Sequence, residues 1–184
     1  MRLINVFNVP PEADEAFMAD WERVRESLAA QDGFGGIALF RALRSDVDHR
    51  YVDIARVDAT RGPFASHPGL YEVVHDEGTP DGAGGVVLIN PFEVPAGEDE
   101  RFVAAWERVR ELRGGQRGYL GTRLHRSLGA ADFRYVDVAR WSSPLMIFRA
   151  SQQPEVRQAG AGLPYPAHPA LYSVVRPWPS GDLR

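Results

Sequence analysis

Hydrophobic positions along the chain follow two spacings in turn, and the same succession occurs twice. Short apolar segments at 3–7 and 86–92, bounded by turn signals, predict buried β-strands. Each is followed by a Pro-containing turn and by apolar residues at helical spacing, which predict an amphipathic helix. The helical positions are Phe17, Trp21, Val24 and Leu28 in the first half, and Phe102, Trp106, Val109 and Leu112 in the second.

The rest of each half predicts a β-hairpin and a final strand. The hairpin strands, joined by polar turns, are predicted at 34–43 and 50–57 in the first half, and at 119–128 and 133–141 in the second. The second half continues with a helix over 144–152, a loop rich in Gly, Pro and Ala, and a last strand over 171–176. The order β-α-β-β-α-β is that of a ferredoxin-like module, which is an α+β fold.

The two halves are copies of one module. Residues 4–25 align with 89–110, and 14 of the 22 aligned positions are identical. Further matches join 33–36 to 118–121, 50–56 to 134–140, and 67–71 to 168–172. A repeat of domain size predicts two fused modules that form a pseudo-dimer within one polypeptide.

The copies differ between their third and fourth strands. The first has 9 residues there (58–66) and the second has 26 (142–167), so the first module is expected to lack most of its second helix. One working pocket, in the second module, is therefore expected. The predicted division is a shortened first module at 1–75 that serves as scaffold, a linker at 76–85, a second module at 86–176 with the active site, and a tail at 177–184.

The amino-acid composition and net charge exclude several classes of partner and of functional site. The chain has 184 residues, of which 44% are apolar and 25% charged, as is typical of globular proteins. A net charge of −4 provides no basic field, so neither nucleic acid nor a membrane is an expected partner. The absence of cysteine excludes disulfides, thiolate metal sites and cysteine nucleophiles. No signal peptide, membrane-length apolar run or phosphate loop is visible, and the expected location is cytoplasmic.

Five motifs follow one another along the second half. They are Ile-Asn-Pro-Phe-Glu-Val-Pro at 89–95, Phe102 with Trp106-Glu107, Gly-Tyr-Leu-Gly at 118–121, Tyr-Val-Asp-Val-Ala-Arg-Trp at 135–141, and Phe-Arg-Ala at 148–150. In this order, and largely twice over, they resemble the antibiotic biosynthesis monooxygenase family. The resemblance implies a dimeric α/β barrel of two four-stranded sheets. Here one chain would supply both sheets, and a further homodimer is an open alternative.

The resemblance also implies an activity. Some members of the family oxidise anthrone-type polyketides to quinones with O2 and no flavin, haem or metal, and others use reduced flavin. A small monooxygenase acting on an aromatic polyketide or related phenol or quinol is therefore expected, with O2 as co-substrate and no cofactor, or with reduced flavin. The alternatives are a non-oxidative polyketide cyclase and a non-catalytic ligand-binding protein. Haem degradation is disfavoured because the second helix, over 145–153, has no histidine.

Three residues are the predicted catalytic group. By resemblance, Asn90 binds a substrate oxygen and Trp141 lies against a planar ring. His125, whose counterpart in the first copy is Phe40, is a candidate base because histidine titrates near neutral pH. The alternatives are a structural role for Asn90, which Asn5 repeats, a core-capping role for Trp141 under the second helix, and a solvent-facing position for His125.

Four further residues are predicted to bind substrate, and no metal ligands are expected. Arg157 would hold an anionic oxygen, although a solvated helix-end arginine is the alternative. His168 lies in a His-Pro turn repeated at His67, so a turn residue that bonds backbone is its alternative. Tyr135 and Phe148 complete the set. Two strand aspartates, Asp53 and Asp137, are expected to have paired structural roles with Arg56 or Arg140.

Overall fold

In the described part of the chain, eight strands close into one barrel and four α-helices lie on its outside. The computed structural model describes residues 2–30, 35–55, 66–78 and 85–177. The first module contains β1 (Arg2–Phe7), α1 (Asp14–Ala29), β2 (Ile37–Ala42), β3 (Tyr51–Ala55) and β4 (Ser66–Gly78). The second contains β5 (Val86–Phe92), α2 (Asp99–Gly114), β6 (Tyr119–Ser127), β7 (Tyr135–Trp141), α3 (Pro144–Ser151), α4 (Pro154–Ala161) and β8 (Ala170–Arg176).

The last strand of each module joins the two modules into one barrel. The strand order around the barrel is β1-β3-β2-β8-β5-β7-β6-β4, and every pairing is antiparallel. β4 pairs with β1 of its own module and with β6 of the other, and β8 pairs with β5 and β2. This confirms the prediction of two fused ferredoxin-like modules forming an intramolecular dimeric barrel. Closure leaves no free sheet edge along the paired segments.

Strand side chains alternate between the barrel interior and the outer face beneath the helices. The interior cluster contains residues of both modules, such as Ile4, Phe40, Ile89 and Val138. On the outside, α1 buries Phe17, Trp21 and Leu28, and α2 buries Phe102, Trp106 and Val109, as the helical spacing predicts. No helix in the described part of the chain is long and apolar enough to cross a membrane.

Three boundaries differ from the sequence prediction. Residues 154–161, predicted as loop, form α4, because Pro154 occupies the first helical turn, where a missing N–H costs nothing. The linker predicted at 76–85 begins later, since β4 extends to Gly78. The expected loss of a helix falls mostly on 56–65, and these residues lie outside the described ones, as do 79–84 and all of the tail after Pro177.

Gly85, the residue just before β5, packs closely against the end of β7. Its φ of +77° is in the left-handed region, and a Cβ there would overlap the backbone carbonyl oxygen of Trp141. We expect Gly85→Ala to lower the free energy of unfolding by about 3 kcal/mol in denaturant titrations. Gly97, with φ +88° and open space around it, is the control, and Gly97→Ala should lose only about 1 kcal/mol. Equal losses would contradict the close approach at Gly85.

Candidate functional site

Each module buries one aspartate on the outer face of its sheet. Asp53 on β3 lies directly opposite Asn5 on β1, and Asp137 on β7 lies directly opposite Asn90 on β5. Both aspartates are almost fully buried. Burial raises the pKa of both carboxyl groups, that of Asp53 to about 6. The two sites have the same backbone register, so their side chains can be compared directly.

In the first module the aspartate is held by the asparagine. The amide Nδ2 of Asn5 donates a hydrogen bond to Oδ1 of Asp53 at 2.7 Å. The indole N–H of Trp21 donates to Oδ2 at 3.0 Å. Asn5 therefore has a structural role as a partner of a buried carboxylate.

In the second module other side chains hold the aspartate. The hydroxyl of Thr122 on β6 donates to Oδ1 of Asp137 at 2.5 Å. The guanidinium of Arg113, in the last turn of α2, lies 3.4 Å from Oδ2. Burial has the largest effect on the pKa of Asp137, and Arg113, Thr122 and Trp106 act to lower it. The expected partner Arg140 is replaced by Arg113, which comes from the helix above the sheet.

Because Thr122 and Arg113 hold Asp137, the Asn90 carboxamide has no hydrogen-bond partner among the described residues. The side chain of Asn90 is 7% exposed, and its buried Oδ1 accepts no hydrogen bond. Its Nδ2 donates to no side chain in the described part of the chain. A buried amide without partners loses about 1–3 kcal/mol relative to a paired one. Because a carboxamide both donates and accepts, Asn90 can bind a ligand hydroxyl, carbonyl or phenolate oxygen.

Trp141 lies on the same outer face as Asn90, two rows further along the sheet. Asn90 pairs with Asp137, Leu88 with Ala139, and Val86 with Trp141, which places the two predicted residues about 13 Å apart along the strands. Trp141 is fully buried and packs with Leu88 and Ala139 beneath α3. The structure thus shows the core-capping alternative for Trp141. Contact of its ring with a substrate stays a prediction.

A cleft of about 630 Å³ opens beside this cluster. Leu88 and Leu171, which also pack with Trp141, contribute to its floor, and Phe148 of α3 forms part of one wall. Leu43 and Val47, from the hairpin of the first module, contribute to the opposite wall. The volume is within the usual range for small-molecule pockets. Phe148, which is 61% exposed, lines this cleft. Its role in substrate binding stays a prediction.

His125 is not part of this face. Its place on β6, one residue from Leu124 of the outer face, turns its side chain into the barrel. The residue is 1% exposed, so the solvent-facing alternative is wrong, and the predicted grouping with Asn90 and Trp141 is not what the structure shows. Its Nδ1 lies 3.2 Å from the carbonyl oxygen of Val136. Burial lowers the pKa of His125 to about 3, which keeps the ring neutral at neutral pH.

His168 lies at one end of the barrel, among aromatic rings from both modules. Its backbone N–H donates to the carbonyl oxygen of Pro91 at 3.0 Å, and its Nε2 lies 2.8 Å from Oε1 of Glu93. The alternative of a turn residue that bonds backbone therefore describes it. Its ring centroid is 5.3 Å from those of His49 and Phe133. Among the described residues, no group of three acidic or histidine side chains is arranged to hold a metal ion.

His49 is a buried residue that the sequence reading missed. Burial, then the neighbouring His67 and His168, lower its pKa to about 4. The only sequence signal was that the second copy has Phe133 at the aligned position, which marks a buried site.

The remaining predicted substrate residues lie away from the cleft. Arg157 is exposed on α4, in agreement with its solvated alternative. Tyr135 is buried under α2, where its ring stacks on Phe102 with centroids 4.3 Å apart. A role in substrate binding stays a prediction for both.

Comparison with known proteins fits this arrangement. The family model described as antibiotic biosynthesis monooxygenase matches residues 1–55 and 85–161. The chain belongs to this family. Each matched segment contains one complete cross-strand pair, Asn5 with Asp53 in the first and Asn90 with Asp137 in the second. The predicted tandem resemblance is confirmed. No curated protein matches the chain.

Three solved structures are similar to this antibiotic biosynthesis monooxygenase family member, and the first two named here share its fold. An anthrone oxidase-like protein is 15% identical, over 99% of this chain and 94% of its own, with a TM-score of 0.70. A heme-degrading enzyme from Listeria monocytogenes is 13% identical, over 94% of this chain and 98% of its own, with a TM-score of 0.55. A protein from Shewanella loihica PV-4 is 39% identical, over 52% of this chain and 99% of its own, with a TM-score of 0.46.

Proposed function

We propose that the protein is a small monooxygenase that oxidises an aromatic phenol, quinol or polyketide with O2. One observation carries the proposal: among the described residues the Asn90 carboxamide has no hydrogen-bond partner, whereas Nδ2 of Asn5 is held by Asp53. Oδ1 is unpartnered in both asparagines, so the free donor Nδ2 is what distinguishes the second module. Leu88, two residues before Asn90 on the same face, lines an apolar cleft. Family membership supports the reaction class. The first module, in which Asn5 is engaged by Asp53, serves as scaffold and as one wall of the cleft.

The proposed reaction needs no electron donor when the substrate is an anthrone. An anthrone CH2 group gives up two hydrogens, one oxygen atom of O2 enters the product as the new quinone carbonyl, and the other leaves as water. The electrons come from the substrate, whose enolate form passes them to O2. A phenol oxidised to a quinone obeys the same balance, because one ring C–H and the O–H supply the two hydrogens. Hydroxylation of a phenol to a quinol would instead need reduced flavin as a second reductant.

The residues have separable parts in this reaction. The amide N–H of Asn90 would donate to the substrate oxyanion and stabilise it as charge develops. The cleft would hold the flat ring system and keep water from reactive intermediates. Leu88 and Trp141 support its floor from beneath. Asn90 does not itself line the cleft, whereas Leu88, two residues before it on the same face, does. A bound ring system would therefore have to extend past Leu88 to reach the Asn90 amide.

Oxygen uptake tests the proposal. We expect consumption of O2 with members of an anthrone and naphthol panel, measured with and without reduced flavin. Asn90→Ala should lower kcat about 100-fold or more, as loss of an oxyanion donor does. The matched control is Asn5→Ala, which should lose stability and keep turnover. Product formed without O2 uptake would indicate a cyclase, and no turnover with any substrate would contradict the proposal.

A further inference from the structure

Thr122 and Arg113, which do not line the cleft, both bond Asp137, the direct cross-strand partner of Asn90. We propose that Thr122 and Arg113 are positioning residues that occupy the oxygens of Asp137 and so reserve Asn90 for substrate. The inference about substrate rests on the proposed function, whereas the arrangement of hydrogen bonds does not.

The first module is a natural control inside the same chain. In the sequence alignment of the copies, Thr122 corresponds to Ile37, and Arg113 corresponds to Leu28. Both counterparts are buried apolar residues that cannot hydrogen-bond a carboxylate. There the asparagine opposite the aspartate supplies the missing donor, with Nδ2 of Asn5 at 2.7 Å from Oδ1.

The register shows that the same bond is within reach in the second module. Asn5 and Asp53 are direct cross-strand partners, and so are Asn90 and Asp137. The asparagine in the first copy bonds its aspartate, and the one in the second copy does not. One acceptor site of the corresponding oxygen, Oδ1 of Asp137, is used by the Thr122 hydroxyl, and Oδ2 is bonded by Arg113.

Charge reinforces this arrangement. A buried carboxylate favours hydrogen bonds from nearby donors, because a hydrogen bond to its charged form is stronger than one between neutral groups. Arg113 places a cation 3.4 Å from Asp137, and Trp106 and His75 also act to stabilise its charged form. Asp53 has Trp21 and Asn5 as its hydrogen-bond donors. The second carboxylate is thus satisfied without its asparagine.

Nuclear magnetic resonance of the isotope-labelled full chain tests the arrangement without substrate. The side-chain NH2 signals of Asn90 are assigned as those that disappear in Asn90→Ala. In a variant with Thr122→Val and Arg113→Leu, we expect these signals to move downfield toward those of Asn5 and their hydrogen exchange to slow. Thr122→Val alone keeps the side-chain volume and should show a smaller shift in the same direction.

Turnover tests the link to substrate. The double variant should lose kcat about tenfold or more, with a smaller change in KM, because the substrate oxygen loses its donor. Thr122→Ser, in a chain that keeps Arg113, supplies the hydroxyl again and should, relative to Thr122→Val, rescue both the Asn90 signals and kcat to wild-type values. Loss of stability alone would not produce this rescue together with the shift.

Two results would overturn the proposal. Unchanged Asn90 signals in the folded double variant would show that Thr122 and Arg113 do not control the carboxamide. Shifted signals with unchanged kcat would show that the carboxamide does not serve turnover. A wild-type protein without turnover overturns the proposed function by itself, because the spectroscopic result needs no substrate.

Discussion

His125 alone is expected to cost the protein about 4 kcal/mol of unfolding free energy as the pH falls from 7 to 3. The ordinary pKa of histidine is 6.5, and burial inside the barrel lowers that of His125 to about 3. Between these values the unfolded chain binds a proton that the folded chain does not. The stability contributed by the neutral ring is therefore complete above pH 6.5 and is lost as the pH falls toward 3.

Denaturant titrations from pH 7 to pH 4 measure this loss. The variant His125→Phe carries the residue that the first copy has at the aligned position, Phe40, and should lose less stability over this interval. The comparison with wild type at each pH removes other contributions, such as that of His49, whose pKa is also lowered, and that of Asp53, whose pKa is raised. Parallel curves for variant and wild type would refute the expectation.

The same variant tests the predicted role of His125 as a base. The side chain faces the barrel interior, on the other side of the sheet from Asn90. We therefore expect His125→Phe to retain wild-type kcat in the oxygen-uptake assay. If kcat collapses while the protein stays folded, His125 is the base, and the substrate must reach the interior of the barrel.

Truncating Trp141 is expected to have a comparable effect on stability. Trp141→Ala should lower the free energy of unfolding by about 4 kcal/mol, because a fully buried indole leaves a cavity that its neighbours fill only in part. Denaturant titrations at pH 7 measure the loss. The Trp141 indole makes an edge-on contact with Tyr119, with ring centroids 5.3 Å apart, and packs with Leu88 under α3. Added indole should recover part of the loss by filling the cavity.

A control on the same helix shows whether packing is the cause. Leu145 lies on α3 and is 52% exposed, so Leu145→Ala should change stability by less than about 0.5 kcal/mol. A loss below about 1 kcal/mol for Trp141→Ala would show that α3 does not depend on this side chain. In that case the cleft floor would keep its shape without the tryptophan.

Much of the fold was predictable because the repeat constrains it. The aligned copies predicted both modules, the order of their elements along the chain and their pseudo-dimer, and the family resemblance implied that the two sheets form one barrel. The helix α4 was missed because Gly and Pro recur through 154–169 and are typical of loops, although a proline such as Pro154 is also typical of a helix start. Helices of this size depend on packing, here of Val156, which a local pattern does not reveal.

The site was predictable only in part, because the faces of a strand depend on register. Asn90 and Trp141 both fall on the outer face of the second module, as their spacing along two paired strands requires. His125 was grouped with them because it differs between the copies, and such a difference does not tell which face a residue occupies. Thr122 and Arg113 differ between the copies as well, but their meaning appears only once both are seen beside Asp137.

The last strand of each module pairs with a strand of the other module, so the order of synthesis decides when these pairings can form. Leu39 of β2 pairs with Arg176 of β8, so the β2 edge of the first module gains its neighbour only after residue 176 has been synthesised. Until then β2 presents unpaired backbone groups, which other chains can bind. Pairings this distant in sequence also slow folding. The nascent chain is therefore most exposed to aggregation just before β8 emerges from the ribosome, and charged Arg41 on β2 is placed to oppose it.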